Sequence, residues 1–190
     1  MPVGRRAAVR ARRIQPAAAD DPDRDPDRAG SADAAHAAAL RLLTARARTR
    51  AELEGRLVER GFTGEAVRAA LDRLGRVGLV DDAALAAAVA EGRAERGLDA
   101  PAIALELRDR GVDPDLAEAA AWGAVPADER AGRCRRVAEA RLGQLVGLDP
   151  EARRRRLAGY LARRGYPAEV AEPVIRELVP LDRDERLDRL

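Results

Sequence analysis

The sequence predicts an all-α protein, an elongated tandem array of three three-helix repeats, and three observations carry that prediction. First, a six-residue phrase recurs: Leu57-Val-Glu-Arg60-Gly61-Phe62, Leu107-Arg-Asp-Arg110-Gly111-Val112 and Leu161-Ala-Arg-Arg164-Gly165-Tyr166. Its glycines stand 50 and 54 residues apart, the period of one small supersecondary unit. Each copy reads as a helix ending in a Schellman cap. Gly takes the left-handed C′ position, the apolar residue after it packs back on the Leu, and Arg sits beside the last free carbonyls. Second, the 46% apolar content is mostly Ala, Leu and Val with only 2% aromatics, so helix formers dominate. Third, capping residues stand before apolar runs of helical period.

The elements follow in order. Residues 1–33 open with an Arg-rich stretch and continue as Asp20-Asp-Pro-Asp-Arg-Asp-Pro-Asp-Arg28, which has no apolar face; a disordered charged tail is expected. The first repeat spans about 34–80. Its first helix carries Leu40, Leu43 and Ala47. Thr49-Arg-Ala-Glu52 is a capping box for the second, with Leu53 and Leu57 as its stripe before Gly61. The third starts near Thr63 and aligns Val67, Leu71 and Leu74, with Gly75 and Gly78 loosening its end.

The second repeat spans about 81–125. Asp81 and Asp82 cap a helix with Leu85 and Val89. Asp99 caps the next, with Ile103 and Leu107. Asp113-Pro114 opens the third, with Leu116 and Trp122. The third repeat spans about 126–180. An Arg-rich helix holds Val137, Leu142 and Leu145. Asp149-Pro150 starts a middle helix about one turn longer than its counterparts, with Leu157 and Leu161. A last helix holds Val170, Val174 and Leu178, and residues 181–190 are a charged tail. Each unit is too small to bury its own face and depends on its neighbours.

The net charge of +2 conceals segregation. Residues 34–80 have nine Arg against five acids, residues 81–129 four against twelve, and residues 130–165 eleven against three. A basic face of that size fits an anionic partner, either nucleic acid or an acidic protein groove; pairing between neighbouring repeats explains it equally well. All 35 basic residues are Arg, which genome base composition explains without function. Arg153-Arg-Arg-Arg156 cannot share one helix face: Arg153 lies beside the Leu stripe, and Arg154, Arg155 and Arg156 fan across the exposed side. With Arg133, Arg135 and Arg136 they are the partner-binding candidates that charge alone selects, and Arg163 and Arg164 lie close in sequence.

Catalytic chemistry is thinly represented. Ser31 falls in the tail, His36 precedes the first apolar positions, and Cys134 stands alone between two arginines that favour its thiolate. A bystander role suits each better than catalysis. Asp81-Asp82 lacks a third metal ligand and is explained as a helix cap. No phosphate loop, disulfide framework, zinc set or membrane span is expected, and neither are a catalytic residue, metal or cofactor. The default is a cytoplasmic, monomeric binding protein.

Four runs resemble the RecX family of recombination regulators. They are Ala39-Leu40-Arg-Leu-Leu43 with Thr49-Arg-Ala-Glu52-Leu53 and Leu57-x-x-x-Gly61-Phe62; Leu74-x-x-x-Gly78-Leu-Val-Asp81-Asp82; Arg93-x-x-x-Gly97 through Ile103-x-x-Glu106-Leu107-x-x-x-Gly111-Val112; and Tyr160-Leu161-x-Arg163-Arg164-Gly165-Tyr166. The resemblance covers about residues 36–179. Leu85 and Ala102 depart from it, standing where the family often has Phe and a basic residue. It implies a cytosolic protein that lies along the groove of the RecA filament on single-stranded DNA and restrains its recombinase and ATPase activities. It adds Arg93, Arg96, Arg108 and Arg110 as interface candidates. The alternative is an autonomous, sequence-independent nucleic-acid-binding repeat protein. A weak direct DNA contact is compatible with either.

Overall fold

A computed structural model describes residues 29–181. Nine α-helices follow one another there, in three sets of three. The first set is α1 (Ala32–Ala45), α2 (Arg50–Glu59) and α3 (Gly64–Arg76); the second is α4 (Asp82–Glu95), α5 (Ala100–Asp109) and α6 (Pro114–Ala124). After a 3₁₀ turn at Ala127–Glu129 come α7 (Arg130–Leu142), α8 (Pro150–Ala162) and α9 (Ala168–Leu178). Each helix packs on the other two of its own set. Three separate apolar cores result, one per repeat, so each unit buries its own face and the expected dependence on neighbouring repeats for burial does not hold. The described residues bear out the all-α repeat fold. The remainder of the expected tails, residues 1–28 and 182–190, lies outside them.

The repeated phrase forms the cap its composition requires. Phe62 donates its amide to the Leu57 carbonyl at 3.2 Å and Gly61 donates to Val58 at 2.9 Å. Val112→Leu107 and Gly111→Arg108 repeat the pair, as do Tyr166→Leu161 and Gly165→Ala162. Gly61, Gly111 and Gly165 have φ of +89°, +78° and +89°, in the left-handed region. The same paired bonds close α3 at Gly78-Leu79 and α4 at Gly97-Leu98. Gly78 therefore stops its helix cleanly instead of loosening it.

Several faces are rotated from the expected ones. Leu40 is 38% exposed and Ala47 lies beyond the end of α1; Ala35, Ala38 and Ala39 are the buried residues. In α4 the buried positions are Ala86, Ala90 and Ala94, with Leu85 and Val89 at the flank. The cause is common to both. A helix in intimate contact with its neighbour puts small side chains at the line of closest approach and large ones beside it. Ser31 is not a tail residue: it caps α1 by accepting the Ala34 amide at 3.2 Å. Asp82 is the first residue of α4, with Asp81 alone as its cap. The capping box of α2 and the extra length of α8, 13 residues against 10 in α2 and α5, are as expected.

Candidate partner-binding surface

The repeats are joined where middle helices meet end to end. At the first junction the Thr49 hydroxyl, buried at the start of α2, donates to the Arg110 carbonyl at the end of α5 (2.7 Å). The Arg50 amide donates to Asp82 at 2.8 Å, and Arg110 pairs with Glu52 at 3.0 Å. Gly111 lies so close to Ala51 that a Cβ on the glycine would stand 2.4 Å from the Ala51 Cβ. The second junction repeats this plan. The Asp99 amide, at the start of α5, donates to the Arg164 carbonyl at the end of α8 (2.8 Å). Gly165 abuts Ala102, where an added Cβ would stand 2.6 Å from the Ala102 Cβ and 2.7 Å from its backbone nitrogen.

Asp99 makes no capping bond with its side chain, contrary to expectation. Its carboxylate is fully buried and accepts from Arg130 Nε at 3.0 and 3.1 Å and from Nη2. The Arg130 guanidinium lies over Trp122, 4.9 Å from the ring centre. An ion pair thus replaces the cap at this junction.

Glu52 gives the first junction a pH dependence. Burial pushes its carboxyl up, but the hydrogen bond and charge of Arg110, the Thr49 amide and the charge of Arg46 outweigh it, so the pKa falls below the ordinary 4.5. A depressed carboxylate contributes stability above its unfolded pKa and loses it as pH falls through the folded value. Glu52→Gln is therefore expected to lower the melting temperature at neutral pH and to flatten its decline below about pH 4.5. Parallel acid limbs in the two proteins would show that the pair is solvated.

The ten candidate arginines divide by environment. Three are occupied internally. Arg93 is paired bidentately with Glu106, whose hydrogen bond and charge raise the Arg93 pKa further. Arg110 belongs to the first junction. Arg135 pairs with Glu177 and lies 3.8 Å from Glu139. Arg154, expected on the exposed side, is half-buried and donates from Nε to the Val179 carbonyl at 2.6 Å, because its position on α8 faces the end of α9. Arg108 makes only a long, exposed contact to Glu118 at 3.5 Å, and Arg133 one to Glu129 at 3.6 Å. Arg96, Arg136, Arg155 and Arg156 are exposed, with no carboxylate in ion-pair range among the described residues.

Space gathers these residues differently from sequence. Arg96, Arg133 and Arg136 meet Arg164 around one cavity at the second junction. Arg155 lies with Arg154 and Arg176 beside a separate depression toward the other end of α8. Tyr160, Tyr166 and Arg130 complete the junction; the sequence marked the two tyrosines only within the third capped phrase and the family run, and Arg130 not at all. Cys134 faces the core, and burial first, then the nearby Asp99 charge, pushes its thiol up to about 11 despite the flanking arginines. Among the described residues no cluster of three metal-ligating side chains exists, and no helix is long and apolar enough to cross a membrane.

Three successive three-helix units, each with its own apolar core, define a tandem helical-repeat protein. Residues 35–74 match the first three-helix domain of RecX and residues 128–175 match the third. The chain is 49% identical to the regulatory protein RecX of Thermobifida fusca over 144 residues, 75% of this chain and 77% of that one. It is 43% identical to the regulatory protein RecX of Mycobacterium avium over 154 residues, 80% and 88% of the two chains. A crystal structure of RecX from Lactobacillus salivarius shares the fold, with a TM-score of 0.67 at 20% identity, covering 77% of this chain and 96% of that one. The chain belongs to the RecX family of regulatory proteins.

Proposed function

We propose that this protein is a non-enzymatic regulator that binds the RecA filament on single-stranded DNA and restrains its recombinase and ATPase activities. The observation that carries the reading is the extended relationship to proteins named regulatory protein RecX. The geometry supports it. Middle helices joined through their ends set the three repeats one after another, and Arg96, Arg108, Arg133, Arg136, Arg155 and Arg156 are not consumed by close internal pairs. In this reading the protein acts as a cytoplasmic monomer without a cofactor, and any contact with bare DNA is weak. The alternative, autonomous nucleic-acid binding, draws on the four arginines around the junction cavity.

The two readings separate in one experiment. The protein is expected to slow DNA-stimulated ATP hydrolysis by RecA at concentrations where it hardly binds bare single-stranded DNA at the same salt. Full relief of that inhibition by excess bare DNA would instead favour the autonomous reading. Arg155→Glu with Arg156→Glu is expected to weaken filament binding about tenfold or more, since reversed charge meets repulsion at the contact, with the melting temperature unchanged. Undiminished inhibition by the double variant would remove both residues from the interface.

A further inference from the structure

We propose that the second junction holds a binding site for a multiply charged phosphate group, such as a free nucleotide or the 5′-phosphorylated end of a nucleic acid strand presents. A cavity of about 420 Å³ opens between the end of α4, the face of α7 and the end of α8. Arg96, Arg133, Arg136 and Arg164 stand in its wall against one carboxylate, Glu95. Among the described residues Arg96, Arg136 and Arg164 have no carboxylate in ion-pair range, and Arg133 has only the 3.6 Å contact to Glu129. Four arginines lining one space repel one another less when an anion enters. Their planar donor forks match phosphate oxygens, and several of them suit a group that carries more than one negative charge.

The site is also built, not merely charged. Arg164 is held in place: Nη1 donates to the Arg96 carbonyl, and the guanidinium lies 4.6 Å over the Tyr160 ring. Arg141 lies over the same ring at 5.0 Å, so Tyr160 serves as a platform for cations. Tyr166 forms part of the wall with only 3% exposure, and its hydroxyl has no hydrogen-bond partner among the described residues. Burial first, then the charge of Asp99, pushes its pKa up to about 12 against the lowering effect of Arg133 and Arg164, so Tyr166 adds no negative charge to the wall. Ala94, Val137 and Ala140 line an apolar side able to take a base or sugar, and the volume falls in the range of small-ligand sites.

The test needs no filament, so its outcome is independent of the regulatory reading. Calorimetric titration of the full chain with inorganic pyrophosphate is expected to show one saturable site. Arg136→Glu is expected to weaken it about tenfold or more, whereas Arg68→Glu, at an exposed position of α3 in the first repeat, changes it less than about twofold. Competition by ATP at comparable concentration would assign the site to free nucleotides. Tighter binding of a short oligothymidylate only when it bears a 5′-phosphate would assign it to strand ends. Absence of saturable pyrophosphate binding, or equal weakening by Arg136→Glu and Arg68→Glu, would overturn the proposal.

Discussion

Replacing Gly165 with Ala is expected to destabilise the protein by about 3 kcal/mol, one of the largest single-site losses available in this chain. Two effects add. At φ +89° any Cβ meets the following carbonyl, at about 1–2 kcal/mol. The new methyl would also press on the Ala102 Cβ at 2.6 Å and its backbone nitrogen at 2.7 Å, which cannot swing aside, and overpacking of that kind costs about 1–3 kcal/mol. Gly61 separates the two effects, because its φ is also +89° but nothing lies within 4 Å of its Cβ position. Gly61→Ala is therefore expected to cost only about 1–2 kcal/mol. Chemical denaturation of both variants measures the difference. Equal losses would mean that the second junction is open in solution.

Arg130→Ala is expected to be comparably severe, at about 3 kcal/mol, the lower end of the range for removing one partner of a buried ion pair. The loss leaves the fully buried Asp99 carboxylate without its counterion, at the point where two repeats meet. Arg130 itself retains 14% exposure, so some water reaches the pair and the upper end of the range does not apply. Trp122 is the only tryptophan, and Arg130 lies over it, so its emission should shift as the junction loosens. A loss below about 1 kcal/mol, with unchanged emission, would show that the carboxylate is already hydrated.

The fold was legible because its punctuation is local. A Schellman cap is specified within six residues, and three copies at a near-constant interval define the repeat without tertiary information. Which apolar face is buried was less legible. Leu40 and Leu85 fit a helical stripe as well as Ala39 and Ala86 do, and the choice depends on how closely the neighbouring helix approaches. The junctions were not legible at all. Asp99 has the sequence of an ordinary N-cap, and only the position of Arg130, 31 residues later, converts it into half of an ion pair. Gly111 and Gly165 were recognised for their backbone conformation, yet their lack of a side chain is used a second time against Ala51 and Ala102. For the candidate site, charge counting found Arg133 and Arg136. It did not distinguish them from Arg135 and Arg154, whose internal partners lie 42 and 25 residues away.

The end-to-end contacts of the middle helices also give the molecule a direction. The carbonyl end of α8 meets the amide end of α5, and the carbonyl end of α5 meets the hydroxyl-capped start of α2. Three helix dipoles therefore run in series, with the positive pole at Asp149-Pro150 and the negative pole at Arg60-Gly61. Reversing such an arrow end for end exchanges its poles and also exchanges the arginine-rich third repeat for the first. A partner that is itself a polar filament would distinguish the two orientations, and the protein would lie along it one way only.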